Sequence, residues 1–175
     1  MVYIIITGTP GVGKSSVAKE LSRKIGAEIL DLHDLARRCK AIEEYDIEAK
    51  SMVYDVRKIK KALKDIGKET LYILDSHLAH FAPPELTTFC FVLRVHPKHI
   101  EKRLKRRAYH EKKIEDNKMV EKLDTCLIEA IEEGHEKHLY EIDTTNKSIK
   151  KIVSEIIKIM KKKPKPRYGN VKWLK

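Results

Sequence analysis

The sequence predicts an α/β protein with a five-stranded parallel sheet flanked by helices. Short β-branched runs alternate with helical patterns along the chain, the first run is apolar throughout, and polar residues follow the ends of the runs. Strands that alternate with helices form β–α–β crossovers, which produce parallel sheets. An unbroken apolar run is typical of a strand buried on both faces. Because ligands bind at the carboxyl ends of such strands, we expect a functional site there.

The elements follow from the spacing of apolar residues. β-branched and aromatic runs predict strands at residues 2–7, 27–32, 71–74, 87–94 and 139–142. Apolar residues three and four apart predict helices at 14–25, from 35, from 52, and at 97–107, 115–133 and 149–160. Asp34 is expected to cap the second helix. Residues 41–50 show no clear period. We therefore expect one domain over residues 1–160 and an extended tail at 161–175.

Composition excludes several classes of protein. A hydrophobic fraction of 42% is too high for a disordered chain. No apolar run approaches the roughly 18–20 residues that cross a bilayer, so no membrane partner is expected. The first six residues carry no basic leader. Three widely spaced cysteines suggest no disulfide framework. These features predict a cytoplasmic protein, or a nuclear one in a eukaryote, with a monomer favoured.

The net charge of +11 comes from two local patches. The last fifteen residues carry seven Lys or Arg side chains and no acid. Residues 94–113 carry nine basic side chains and two acids. One patch is internal and the other is terminal, which suggests two different anionic targets.

The segment from Gly8 to Ser15 matches the pattern G-x-x-x-x-G-K-[ST] at every position, between a predicted strand and a predicted helix. In this P-loop, backbone amides and the helix N-terminus bind phosphates, Lys14 reaches the β- and γ-phosphates, and Ser15 ligates Mg²⁺. A turn that only connects two elements is the alternative. The motif predicts ATP and Mg²⁺ as cofactors, bound by Gly11, Val12, Gly13, Lys14, Ser15 and Ser16.

Two further candidates follow the third strand. Asp75 ends that strand, where an acid orients Mg²⁺ in P-loop enzymes. By itself, an Asp in this position more often caps a turn. His77 lies two residues later and could accept a proton or orient an attacking group, although a lone His is usually structural.

Arginines predict phosphate contacts at two other places. Arg37 follows the second strand and offers a bidentate fork to an acceptor phosphate, unless it is a solvated surface residue. Arg103 and Arg107 lie four residues apart on one helix face. They predict a mobile lid that closes on the transferring phosphoryl group; an ordinary basic helix is the alternative.

The combined motifs resemble the adenylate kinase isoenzyme 6 family, the small nuclear and archaeal type also called coilin-interacting nuclear ATPase. The resemblance covers about residues 3–160. Its most specific segments are residues 7–15, Asp34-Leu35-Ala36-Arg37, Val92-Leu93-Arg94, and the unusual stretch from Tyr109 to Asn117. Ala108 departs from the family, which tends to have Gly there, and this could stiffen the lid hinge.

The resemblance implies a P-loop NTPase fold with sheet order 2-3-1-4-5, a short lid at about 103–116 and a monophosphate-binding arm at about 34–66. It implies transfer from ATP to AMP or another nucleoside monophosphate, with slow ATPase activity. It further implies a role in small ribosomal subunit maturation, with a small-subunit ribosomal protein and rRNA as partners. The site residues carried over are Lys14, Ser15, Asp75, His77, Arg103 and Arg107, with Asp34 and Arg37 for AMP, and Asn146 near the adenine.

Two alternatives stay open at the level of sequence. An assembly ATPase would use nucleotide state to switch its affinity for a ribosomal partner, with the basic tail binding phosphate backbones. A small-metabolite kinase would use the same scaffold on another acceptor. Trp173 in the tail could stack a base or dock on the domain.

Overall fold

The computed structural model describes residues 2–46, 51–66 and 69–174. The strands are β1 Tyr3–Thr7, β2 Glu28–Leu30, β3 Ile42–Asp46, β4 Ser51–Tyr54, β5 Tyr72–Asp75, β6 Thr87–Arg94 and β7 Leu139–Asp143. The α-helices are α1 Lys14–Ile25, α2 Leu32–Arg38, α3 Val56–Asp65, α4 Pro97–Lys105, α5 Glu111–Lys122, α6 Thr125–Glu132 and α7 Ile149–Lys162. All five strands predicted from sequence are present, and the β6 bounds are those expected.

The main sheet has the order β2-β5-β1-β6-β7, and all its pairs are parallel. Counted along the main sheet alone, this is the predicted order 2-3-1-4-5. Strand residues point alternately to the two faces, so the sheet contributes to two cores. One core packs β1 and β6 against α1, α4 and α7. The other packs the opposite faces against α2, α3 and α6.

Three local features differ from the sequence-based predictions. Where the sequence shows no clear period, the described residues 42–46 form β3, which pairs with β4 in a two-stranded antiparallel sheet outside the main one. The helix predicted at 115–133 is two helices, because Asp124 adopts a left-handed backbone (φ 58°) between α5 and α6. The cap of α2 is Asp31, which accepts hydrogen bonds from the amides of His33 and Asp34, so the prediction that Asp34 is the cap was wrong.

No helix in the described ranges is long and apolar enough to cross a bilayer. The three cysteines are free thiols. The helix α7 continues to Lys162, two residues into the predicted tail. The rest of the tail lies against the domain rather than standing apart from it.

Candidate active site

The glycine-rich turn joins the end of β1 to the start of α1 in a conformation that only glycine adopts readily. Gly8 has φ 133° and Gly13 has φ 109°. A Cβ atom on Gly8 would lie 2.4 Å from the carbonyl oxygen of Leu93, on the neighbouring strand β6. The sheet therefore requires glycine at this position. The turn delivers the chain to the N-terminus of α1, where free amides and the helix dipole favour an anion.

Lys14, the first residue of α1, lies over this turn. Its ammonium donates to the carbonyl oxygen of Gly8 at 2.7 Å and to that of Thr9 at 3.1 Å. Burial lowers the pKa of Lys14 below its ordinary value. A cation that is partly desolvated and held by two neutral carbonyls is well placed to gain from contact with a polyphosphate.

Two cavities meet at Lys14. The larger, about 520 Å³, is bounded by the P-loop on one side and by α5 and α6 on the other. The smaller, about 320 Å³, lies between the P-loop, the end of β5 and the start of α2. Lys14, Ser15, His77 and Leu78 line both. The site therefore has room for two ligands, one on each side of Lys14.

Ser15 and Asp75 both line the smaller cavity, as expected of a P-loop hydroxyl and a strand-end acid. Hard oxygen donors of this kind suit Mg²⁺, which keeps several waters and takes phosphate oxygens as ligands. Within the described residues, no group of three or more His, Cys, Asp or Glu side chains is arranged to hold a metal. The residues therefore fit Mg²⁺, and Ser15 and Asp75 are the two side chains that would hold it.

His77 is exposed to both cavities. Partial desolvation of the ring between the two cavities lowers the pKa of His77 to about 4, and the charge of Lys14 acts in the same direction. The imidazole is therefore neutral at pH 7. It can accept a hydrogen bond, but it adds no positive charge to the site.

The two predicted lid arginines occupy different positions. Arg107 is exposed and lines the larger cavity. Arg103 instead donates to the carbonyl oxygens of Gly11 and Val12, at 2.8 and 3.0 Å. The turn after Arg107 contains Ala108 at φ 56°, a backbone conformation that favours glycine. This geometry accounts for the glycine that the family resemblance led us to expect at position 108.

The predicted acceptor residues Asp34 and Arg37 pair with each other at 3.2 Å on the exposed side of α2. Neither lines the smaller cavity in this conformation; the start of α2 contributes Asp31 and His33 to it instead, and the arm contributes Tyr54. His33 Nδ1 lies 3.0 Å from the Tyr54 hydroxyl. No sequence motif predicted these residues, because the contact between His33 and Tyr54 depends on the position of β4.

Asn146 lies in the loop after β7, with φ 56°. The same loop adjoins the P-loop: the Thr144 hydroxyl lies 3.4 Å from the carbonyl oxygen of Val12 and donates to that of Arg94 at 2.8 Å. Asn146 is exposed there and does not line either cavity. Its contact with an adenine stays a prediction.

The wall of the larger cavity opposite the P-loop was not predicted residue by residue. It consists of side chains from the turn before α5, from α5 and α6, and from the segment after β5: Tyr109, Lys113, Asn117, Val120, Thr125, Cys126, Glu129 and Phe81. Three of them, Tyr109, Lys113 and Asn117, belong to the unusual stretch noted in the sequence. That stretch was the signal that could have located this wall.

A phosphate-binding turn after the first strand of a 2-3-1-4-5 sheet, with two adjoining cavities, defines the P-loop kinase class. Solved structures of similar fold include shikimate kinase from Acinetobacter baumannii, with a TM-score of 0.65 at 16% identity over 93% of this chain and 94% of that one. A gluconokinase from Sinorhizobium meliloti matches with a TM-score of 0.57 at 15% identity, covering 92% of each chain. At these identities the likeness concerns the fold alone.

Sequence relatives are more specific. An AAA domain family model matches residues 4–124. A protein of Methanocaldococcus jannaschii named "Putative adenylate kinase" is 40% identical over 97% of this chain and 92% of its own length. One of the same name from Pyrococcus abyssi is 43% identical over 97% of this chain and 90% of its own. The chain belongs to this adenylate kinase-like family and is an enzyme of the nucleoside monophosphate kinase class.

Proposed function

We propose that the protein transfers the γ-phosphoryl group of ATP·Mg²⁺ to AMP, giving two ADP, and tolerates other nucleotides. The observation that carries this proposal is the meeting of two cavities at Lys14. Phosphoryl transfer needs a donor and an acceptor on either side of one cationic centre, and a simple ATPase needs only the donor site. The names of the archaeal relatives support the choice of acceptor.

The transfer needs no covalent intermediate on the protein. An oxygen of the AMP phosphate attacks the γ-phosphorus as the bond from that phosphorus to the β-bridging oxygen breaks, and the electron pair leaves with ADP. Ser15 and Asp75 would hold Mg²⁺, which would neutralise charge on the phosphates. The ammonium of Lys14 would contact the β- and γ-phosphate oxygens during the transfer. Catalysis then comes from positioning the two nucleotides and neutralising the charge of their phosphates.

The arm and the lid complete the proposed site. Residues 34–66 form the monophosphate-binding arm, of which 47–50 lie outside the described residues. When the arm closes, Arg37 would release the exposed carboxylate of Asp34 and bind the acceptor phosphate instead. Residues 103–116 form the lid, whose Arg107 already lines the larger cavity. Closure of the two would exclude water from the transferring group.

The test is ADP formation from ATP with and without AMP. We expect turnover to rise strongly on adding AMP, and Lys14→Ala to lose at least about 10²-fold in kcat/KM, since one positioned charge donor contributes that much. Lys19→Ala, an exposed lysine of the same helix, is the control and should retain activity. Turnover that ignores AMP would contradict the kinase proposal and leave a hydrolase.

Arg37 has a matched control of its own. Arg37→Ala should raise KM for AMP about tenfold or more with little change in KM for ATP, because one bidentate phosphate contact is lost. Arg38→Ala, the exposed neighbour, should change neither constant. An equal rise in both constants for Arg37→Ala would show that the residue is not specific to the acceptor.

We further propose that the enzyme belongs to the isoenzyme 6 branch, hydrolyses ATP slowly, and acts inside the cell in small ribosomal subunit maturation. The branch rests on the resemblance of residues 3–160. The feature that favours the ribosomal role is a run of exposed basic side chains at the start of the tail: Lys161, Lys162, Lys163, Lys165 and Arg167. Such a run has salt-sensitive affinity for phosphate backbones. Its expected partners are a small-subunit ribosomal protein and rRNA.

A pull-down from ribosomal extract with and without ATP tests the second proposal. A variant with these five residues changed to Ser is the comparison. We expect nucleotide-dependent recovery of a small-subunit component by the parent protein and reduced recovery by the variant. Recovery of nothing in either state would count against the ribosomal role. A screen of phosphate acceptors, including sugar acids, separates AMP transfer from small-metabolite phosphorylation.

A further inference from the structure

The C-terminal segment, residues 164–174, is bonded to the domain along its length. The Arg167 amide donates to the Leu139 carbonyl oxygen at 3.1 Å, and the Glu141 amide donates to the Arg167 carbonyl oxygen at 2.9 Å. The Tyr140 hydroxyl donates to the carbonyl oxygen of Pro164 at 2.6 Å. These bonds fix the path of the segment beside β7 and carry it toward the end of α5.

Beneath this segment lies a buried cluster of charges centred on Arg94, which is 1% exposed. Its guanidinium donates to Glu121 at 2.9 Å and to Glu141 at 2.6 Å, and it also pairs with Asp124. Burial by itself would lower the pKa of Arg94, but Glu121 and Asp124 raise it above the ordinary value. One cation facing three carboxylates leaves a surplus of negative charge, which needs further donors.

The C-terminal segment supplies those donors. The backbone amides of Asn170 and Val171 donate to Glu141 Oε2, at 2.9 and 3.1 Å. The indole N–H of Trp173 donates to Glu121 Oε1 at 3.1 Å. Of the two positions considered for Trp173 from the sequence, the structure shows it docked on the domain.

Glu121 connects this cluster to the P-loop. Its second oxygen, Oε2, accepts the hydroxyl of Thr9 at 2.6 Å, and both residues are 1% exposed. Thr9 is the second residue of the phosphate-binding turn, and its own carbonyl oxygen accepts from Lys14 at 3.1 Å. A single buried carboxylate thus bonds to the turn with one oxygen and to Arg94, the Val95 amide and Trp173 with the other.

We propose that Glu121 is a positioning residue that holds the P-loop in its phosphate-binding shape through Thr9, and that Trp173 of the C-terminal segment completes the donors that hold Glu121. This inference rests on the proposed binding of ATP at the P-loop. Because the carboxylate is buried, its orientation is fixed only while its donors are in place. Nucleotide binding at the turn is therefore coupled to the seating of the C-terminal segment.

The chain has one tryptophan, so its fluorescence reports on this contact directly. We expect a non-hydrolysable ATP analogue at saturation to change the Trp173 emission of the parent protein. Thr9→Val, which keeps the shape of the side chain but removes the hydroxyl, should abolish the change at saturation. Thr9→Ser, which keeps the hydroxyl, should restore it. If the segment had a purely structural role, the Trp173 emission of the parent, Thr9→Val and Thr9→Ser proteins would respond to the analogue in the same way.

Calorimetry with the same analogue gives the second readout. Trp173→Phe should bind it about three- to tenfold more weakly, the range expected for partial loss of a hydrogen bond to a charged group. Lys172→Ala changes an exposed side chain next to Trp173 and leaves the bonds that seat the segment in place, so it should bind like the parent.

Three results would each overturn the inference. The parent protein could bind the analogue with no change in Trp173 emission, Thr9→Val could show the full change in emission, or Trp173→Phe could bind the analogue with parental affinity. A parent protein that binds no analogue would overturn the proposed function, and this inference with it.

Discussion

Replacing Arg94 with Met is the most demanding test of the buried charge cluster. Methionine fills a similar volume without charge, so the variant leaves Glu121 and Glu141, each 1% exposed at the side chain, without their cation. Asp124 is 31% exposed at the side chain and can be solvated instead. Removing one partner of a buried ion pair costs about 3–5 kcal/mol, because the remaining charge is uncompensated.

The expected loss is a large fraction of the stability of a domain of this size, which is about 5–15 kcal/mol. Reversible urea unfolding should show the midpoint falling with little change in slope. Thermal unfolding should move down by roughly 6–20 °C, at about 2–4 °C per kcal/mol. Arg94→Lys should lie between parent and Arg94→Met, since an ammonium keeps the charge but not the planar fork.

The control is Arg23→Met, which removes an exposed arginine paired with Glu20 on the surface of α1. Exposed pairs contribute little, so its unfolding curve should overlay that of the parent. If Arg94→Met lost less than about 1 kcal/mol, the cluster would not be the compensated buried network described above.

Three further predictions concern the site. Gly8→Ala should abolish ATP-analogue binding, measured by calorimetry, because its Cβ would lie 2.4 Å from the Leu93 carbonyl oxygen; near-parental affinity would show that the turn can shift. His77 should titrate near pH 4 by NMR. Since its folded pKa lies below its unfolded one, stability should fall as pH drops from about 6.5 through 4, and His77→Asn should flatten that dependence. Arg103→Ala should raise KM for ATP more than KM for AMP, because it holds two P-loop carbonyls; a change confined to AMP would contradict this.

Local patterns predicted the main sheet because its determinants are local. The apolar run of β1, the glycine spacing of the turn and the apolar period of α1 each specify one element, and alternation of strands and helices then gives a parallel sheet. The same reasoning placed Lys14, Ser15, Asp75 and His77 beyond the strand ends. Lys14, Ser15 and His77 line both cavities there, and Asp75 lines the smaller one.

The parts that were missed depend on contacts between distant residues. The break at Asp124 falls where Arg94, 30 residues away in sequence, bonds to the Asp124 side chain and to the Glu121 carbonyl oxygen. The strands β3 and β4 pair with each other outside the main sheet, and no local apolar period marks them. The docked tail is held by backbone amides and one indole, which no local pattern encodes.

The course of residues 164–168 also bears on how the molecule behaves in concentrated solution. β7 is the last strand of the main sheet, and a bare outer strand offers unpaired amides and carbonyls to another copy of the chain. On that side of β7, the backbone of Arg167 bonds to the carbonyl oxygen of Leu139 and to the amide of Glu141. Loss of these bonds would create a template for intermolecular sheet formation, so shortened forms of the protein should aggregate well before they unfold.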